Sequence, residues 1–317
     1  MGFRGLYLDE IRRLLVENKN YAKYMKDRLK GTGVALITPF KKDFSIDFEA
    51  IERLVEYQIQ EGTDYIVALG TTAETPTLSF AERKEILKTV VQAVKGRIPV
   101  VAGIGCNNPL EVIEQIHMFD LKKVDAILSV APYYNRPQQE GIFQHYKAIA
   151  KASPLPLIIY NVASRTAVNI EAETTLRIAK EIPKVIGIKE ASGNFFQIMH
   201  IMEHKPSDFM VISGDDVITL PLMACGLDGL ISVVANAYPK LISQMVKSAL
   251  YGDYKTARSL HYQLLPVMDL CFKQGSPSGV KTFMESQGLV EHYVRLPLVD
   301  VSESLKNEIN TVVNSMK

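Results

Sequence analysis

Cysteine is scarce in this chain of 317 residues: Cys106, Cys225 and Cys271 lie far apart and are odd in number. This excludes a disulfide framework and a thiolate metal cluster, and fits reduced thiols in the cytoplasm. Neither a CxxC pair nor an HExxH motif occurs, and no metal is expected. Apolar runs, such as the one ending at Tyr160, stop after about six or seven residues, well short of the ~20 that a membrane span needs. The amino terminus has no signal-type apolar segment, and Asp9, Glu10, Glu17 and Asp27 argue against a transit peptide. Charge of one sign is missing too: 36 Lys+Arg balance 35 Asp+Glu to leave +1. Neither a nucleic-acid footprint nor a polybasic membrane patch is indicated, so the expected partner is a small molecule.

What the chain does have is ordinary globular composition, 47% hydrophobic and 22% charged with 19 Gly and 15 Pro, which argues against disorder and fibrous architectures. From Gly33 onward a short apolar run, a turn and an amphipathic stretch recur. Strands are expected near Val34 to Phe40, Tyr65 to Leu69, Pro99 to Ile104, Ala126 to Ala131, Leu155 to Asn161, Val185 to Glu190, Phe209 to Gly214 and Leu230 to Val234. Their continuous hydrophobicity is that of strands covered on both faces of a parallel sheet. Asp47 before Phe48, and Ser79 with Glu82 three residues on, mark helix starts. Ile51, Leu54, Val55 and Ile59 are spaced as one helix face.

Eight βα units point to an α/β fold, a closed (β/α)8 barrel, with a doubly wound sheet as the alternative. The second loses ground because no GxGxxG opens the first helix and the GTG at Gly31 to Gly33 precedes its expected strand. The organisation read is a helical appendage over residues 1–30, a catalytic barrel over 31–250 and a helical extension over 251–317. Leu8, Ile11, Leu14 and Leu15 give the appendage a surface-helix pattern without a catalytic signal.

In such a barrel, chemistry sits at the carboxyl ends of the strands. Lys189 is the outlier there, following Val185-Ile186-Gly187-Ile188 into a packed interior. Burial disfavours an ammonium relative to the neutral amine, the form that attacks a carbonyl to make a Schiff base. A lysine paired with Glu190, or reaching out at the strand's mouth, is the competing reading. Tyr160 ends its strand as a proton relay or as a core aromatic. Thr71 and Thr72 occupy a Gly-led turn able to present hydroxyls and N–H groups. Arg165 is either a bidentate carboxylate clamp or half of a surface ion pair. Asp215 and Asp216 put two carboxylates where many barrels bind phosphate, disfavouring a phosphorylated substrate, or else cap the next helix.

Six segments in order, GVALITPF, GTTAETPTL, APYYNRPQQEG, YNVASRT, IGIKEASGN and SGDD, resemble the pyruvate-dependent class I aldolases of the dihydrodipicolinate synthase and N-acetylneuraminate lyase family, from about Gly31 to about Leu298. The resemblance implies that Lys189 forms an imine with pyruvate and that Tyr160 relays protons with Thr71 and with Tyr134, a tyrosine supplied to a neighbouring subunit. It implies that Thr72 and the main chain of Ile231 seat pyruvate. Arg165 stands where the synthases hold the carboxylate of aspartate semialdehyde, whereas sialic-acid lyases have YNIPALSG-like residues without that arginine. The implied activity is therefore condensation of pyruvate with the semialdehyde in lysine and diaminopimelate formation, by a cytoplasmic homotetramer with no cofactor beyond the lysine imine.

A sialic-acid or 2-keto-3-deoxy-sugar-acid lyase is the alternative, and a non-catalytic keto-acid-binding relative is opposed by the joint presence of Lys189, Tyr160, Thr71 and Tyr134. An effector pocket is implied at Thr75, Asn107, Glu111 and Tyr133, with Phe80 and Arg83 where relatives have a histidine-rich stretch. Ala73, Ala163 and Ala167 replace the Gly, Pro and Gly usual in the pattern, and a Cβ where φ must be positive would cost about 1 kcal/mol.

Overall fold

The computed structural model describes residues 20–316. Eight parallel strands close a barrel in chain order: β1 (Gly31–Ala35), β2 (Tyr65–Ala68), β3 (Val100–Gly103), β4 (Ala126–Val130), β5 (Leu157–Asn161), β6 (Val185–Glu190), β7 (Met210–Ser213) and β8 (Gly229–Ser232). Gly31 pairs with Gly229 and Val34 with Ser232, so β8 returns to β1 and no sheet edge is left. This closure rules out the doubly wound alternative. Alternation sorts the strand residues into two layers: Leu157 and Ile159 join the packing between sheet and helices, while Ile158 and Tyr160 fill the barrel.

The helix signals hold. Asp47 accepts a hydrogen bond from Ala50 N at 3.0 Å to open Phe48–Gln60, which buries Ile51, Leu54 and Val55. Ile59 is only partly buried, and Gln58 is the buried residue beside it, donating to Ala235 O at 2.8 Å. Ser79 and Glu82 form a reciprocal capping box at the start of Phe80–Val94.

One strand departs from the expectation, and another keeps its expected bounds but carries an irregularity. The first is shifted, since β1 is Gly31–Ala35 and the GTG is its substance instead of its prelude. A Cβ on Gly33 would lie 2.3 Å from the ring of buried Tyr65, and one on Gly229 would lie 2.0 Å from Gly31 O. Glycine is there because aromatic ring and backbone crowd the strand, and apolar pattern alone does not reveal that. The irregularity is a bulge: Leu157 pairs with Val185 but Ile158 with Gly187, so Ile186 is an extra residue in β6. Val185 packs toward the helices. Four residues on, an unbroken strand would send Lys189 the same way, and the added residue turns it into the barrel.

The helix Asn20–Leu29 is no surface appendage. Met25 is 1% and Leu29 0% exposed, both packed with Tyr65, Val101 and Ile158 of the barrel interior. Lys26 pairs with Asp228 at 3.1 Å and Arg28 with Asp125 at 2.5 Å. Those aspartates immediately precede β8 and β4, so the helix covers the amino-terminal mouth. Leu8, Ile11, Leu14 and Leu15 lie outside the described residues. After β8 come Pro239–Leu250 and then three further long helices, Tyr254–Phe272, Ser278–Ser286 and Glu303–Ser315, with no additional strand among the described residues. No helix among them is long and apolar enough to cross a membrane.

Candidate active site

At the carboxyl end of the barrel, Tyr160 of β5 and Lys189 of β6 are register partners. Lys189 is 5% and Tyr160 7% exposed, and the ammonium lies 4.3 Å from the centroid of the Tyr160 ring. The space is reserved for that side chain: a Cβ on Gly214 would meet Lys189 Cε at 2.8 Å. Glu190, the counterion of the competing reading, faces the other side of β6. Its carboxylate accepts from Ser192 N at 2.7 Å and from Asn161 Nδ2 at 3.0 Å, and burial pushes its pKa up. Among the described residues no carboxylate forms an ion pair with Lys189. A buried amine without a counterion, resting on a phenol ring, is an arrangement suited to attack on a carbonyl.

Lys189 and Tyr160 line two adjoining cavities of about 400 Å³ and about 370 Å³. Thr71 and Arg165 line both, so the amine, the phenol, a hydroxyl and a guanidinium face one space. Thr72 is buried and lines the second cavity. Arg165 lies in the single turn Ala163–Thr166 with an exposed side chain. Among the described residues no carboxylate holds it in an ion pair, so its fork is available to a bound acid. Ile231 of β8 is 0% exposed, pairs with Gly33 of β1 and belongs to the same interior cluster as Tyr160, but it lines neither cavity.

Some expected residues are not brought together. Tyr134 is 88% exposed at φ 76°, held by its backbone N–H 3.5 Å from Thr166 O, and does not reach Tyr160 within this chain. Nor does a hydrogen bond join Thr71 to Tyr160 among the described residues. Thr75, Arg83, Glu111 and Tyr133 line the larger cavity, and Asn107 Nδ2 donates to Tyr133 O at 3.2 Å. Phe80 departs from that group: its ring packs on Phe119 at 5.1 Å, because the first turn of its helix presents it to the neighbouring helix end. Thr75, Arg83, Glu111 and Tyr133 thus share one cavity with Lys189 in the single chain.

The aspartates after β7 divide their roles. Asp215 accepts from Val217 N at 3.0 Å and lines the second cavity. Asp216 is fully enclosed, bonded to Ser232 Oγ and, at 3.0 Å, to Val233 N, and burial raises its pKa to about 6. It ties β7 to β8 instead of facing a ligand. Groups of three close metal-ligating side chains, His200 with Glu203 and His204, and Glu285 with Glu291 and His292, occur outside both cavities.

Of the three alanine replacements, only one is strained. Ala73 closes the 3-10 turn Thr71–Ala73 at ordinary negative φ, and Ala163 begins a helical turn, whereas Ala167 sits at φ 57°. Exchanging exposed Ala167 for glycine is expected to raise stability by up to about 1 kcal/mol, the relief of left-handed strain exceeding the added freedom of the unfolded chain. Urea unfolding checks this, and a variant less stable than its parent contradicts it.

Sequence reasoning missed the carboxyl-terminal wall and the support beneath the threonine turn. Met268, Asp269, Phe272 and Ser276 line the second cavity. Glu74 is buried and bonded to Lys281 at 2.6 Å. A lone lysine among Val280, Phe283 and Met284 is the one signal that could have found the latter.

Residues 28–316 match the dihydrodipicolinate synthetase family. The 4-hydroxy-tetrahydrodipicolinate synthase of Parabacteroides distasonis is 53% identical over 288 residues, 91% of this chain and 97% of that one. The crystal structure of dihydrodipicolinate synthase from Aquifex aeolicus is similar at TM-score 0.88 and 38% identity, covering 91% of this chain and 98% of that one. A structure described as the first monomeric dihydrodipicolinate synthase variant is similar at TM-score 0.88 and 37% identity, covering 91% and 97%. With its barrel, its buried lysine and this match over nearly all of the described residues, the chain belongs to the dihydrodipicolinate synthetase family.

Proposed function

We propose that the protein is a lyase that condenses pyruvate with L-aspartate 4-semialdehyde to give 4-hydroxy-tetrahydrodipicolinate. The observation that carries this is the buried Lys189 amine on the Tyr160 ring, opening into a cavity that also presents Arg165. The amine adds to the pyruvate carbonyl, water leaves, and a protonated imine remains. That cation draws electrons as a methyl proton departs, leaving an enamine, so the lysine itself supplies the electron sink. The enamine carbon attacks the aldehyde of the second substrate. The substrate's own amine then adds to the imine carbon, closes the ring and releases Lys189.

Tyr160 has the position to move protons at the imine, and Thr71 shares its cavity. Thr72 is assigned to the pyruvate carboxylate, with the Ile231 main chain behind it. Arg165 is assigned to the carboxylate of the semialdehyde. Sugar-acid lyases need hydroxyl recognition at that place, and a guanidinium without a protein counterion supports the acid instead. Tyr134, exposed on a loop at positive φ, is assigned to the site of a neighbouring subunit in a homotetramer. Free Cys106, Cys225 and Cys271 support a reducing, cytoplasmic setting. We assign Thr75, Asn107, Glu111 and Tyr133 to an effector subsite, where Arg83 adds a cation that opposes a lysine ammonium.

Turnover coupled to dihydrodipicolinate reductase, with N-acetylneuraminate as the control substrate, tests this reading. Consumption of pyruvate only with the semialdehyde is expected, and the Arg165→Ala variant is expected to lose on the order of 100-fold in kcat/KM for the semialdehyde while still forming the pyruvate adduct. Cleavage of N-acetylneuraminate, or loss of the pyruvate half-reaction in that variant, would contradict it.

A further inference from the structure

The turn that carries Thr71 and Thr72 is anchored from the far end of the chain. Gly70 O accepts from Ala73 N at 3.1 Å and from Thr75 Oγ1 at 2.9 Å, closing the turn, and Ala73 O accepts from Thr38 Oγ1 at 2.8 Å. Glu74 follows at φ 56°, a left-handed backbone that a glutamate adopts only under constraint. Its carboxylate is the constraint. One oxygen accepts from Lys281 Nζ at 2.6 Å and the other from Arg295 N at 2.9 Å. Both side chains of the Glu74–Lys281 pair are 0% exposed. Lys281 donates once more, to Tyr293 O at 2.8 Å, and its ammonium lies 4.3 Å from the centroid of Phe40. The guanidinium of Arg295 holds Glu82 at 2.6 Å and Thr77 O at 3.1 Å, fastening the next helix start.

A buried ion pair is a poor device for stability alone, because the desolvation of both charges offsets their attraction and an apolar pair of similar volume often does as well. Burial pushes the Lys281 ammonium down to about 8 in spite of the carboxylate beside it. What such a pair does well is allow one geometry only. We infer that Glu74 and Lys281 are positioning residues for the condensation: together they hold the Thr71–Thr72 turn at the spacing from Lys189 that pyruvate requires. The helix Ser278–Ser286 thereby takes part in the chemistry without lining either cavity. This rests on the proposed function for its kinetic consequence, though not for the anchoring itself.

The test is the double variant Glu74→Gln with Lys281→Met, which removes both charges at similar volume and keeps an acceptor for Arg295 N. Single removal of Lys281 leaves a buried unpaired carboxylate and threatens folding, so it is used only for comparison of unfolding midpoints. For the folded double variant, amide exchange at residues 70–78 is expected to speed up while β6 stays protected. Its kcat/KM for pyruvate is expected to fall about 10- to 100-fold, mainly through KM, with KM for the semialdehyde little changed. Unchanged exchange at the turn overturns the anchoring, and faster exchange with parental kinetics per folded molecule overturns the positioning role. Absence of a pyruvate adduct in the parent protein would instead strike the proposed function, and the exchange result would still report on the anchor.

Discussion

Lys189→Ala is expected to abolish the pyruvate adduct and lower turnover by on the order of 10⁴-fold or more, the scale on which enzymes lose rate when their covalent nucleophile is removed. The loss should come without unfolding. Lys189 makes no ion pair among the described residues, so truncation leaves no buried partner charge behind. What it leaves is a widening of a cavity that already opens beside the side chain. Turnover assay, trapping and thermal unfolding on the same preparation check this together. Turnover within tenfold of the parent would mean that another group does the chemistry.

The second large effect is expected at Tyr160. Replacement by phenylalanine keeps the ring on which the ammonium rests, at 4.3 Å from its centroid, and removes only the hydroxyl. Imine formation should slow yet still reach completion, whereas turnover should fall by about 10²- to 10⁴-fold, the usual contribution of a positioned proton-transfer group. Rapid-quench measurement of adduct formation set against steady-state turnover separates the two steps. Equal loss in both would assign Tyr160 to binding, and parental turnover would remove it from the reaction.

Much of this was legible in the sequence because it depends on local pattern. Seven of the eight strands lie inside or within a residue of their apolar runs, since strands buried on both faces must be apolar throughout. The Asp47 and Ser79 starts were readable because a cap is a short-range hydrogen bond. Lys189 and Tyr160 each lie one residue from a strand end, where a polar side chain after an apolar run stands out. What stayed hidden was long-range. The crowding of Gly33 by Tyr65, 32 positions later in the chain, is why glycines belong to the first strand, and the apolar pattern placed them before it. The extra Ile186 in β6, which decides where Lys189 points, is a register fact between two strands. Glu74 and Lys281 are 207 residues apart, and neither residue alone announces the other.

Borohydride treatment of the protein in the presence of pyruvate, followed by intact-mass and peptide analysis, probes the covalent step directly. A pyruvate imine on Lys189 predicts one reduced pyruvate unit per chain, carried on the peptide containing Lys189, and none when pyruvate or borohydride is omitted. An unmodified chain, or a reduced adduct on another lysine with Lys189 untouched, would contradict it.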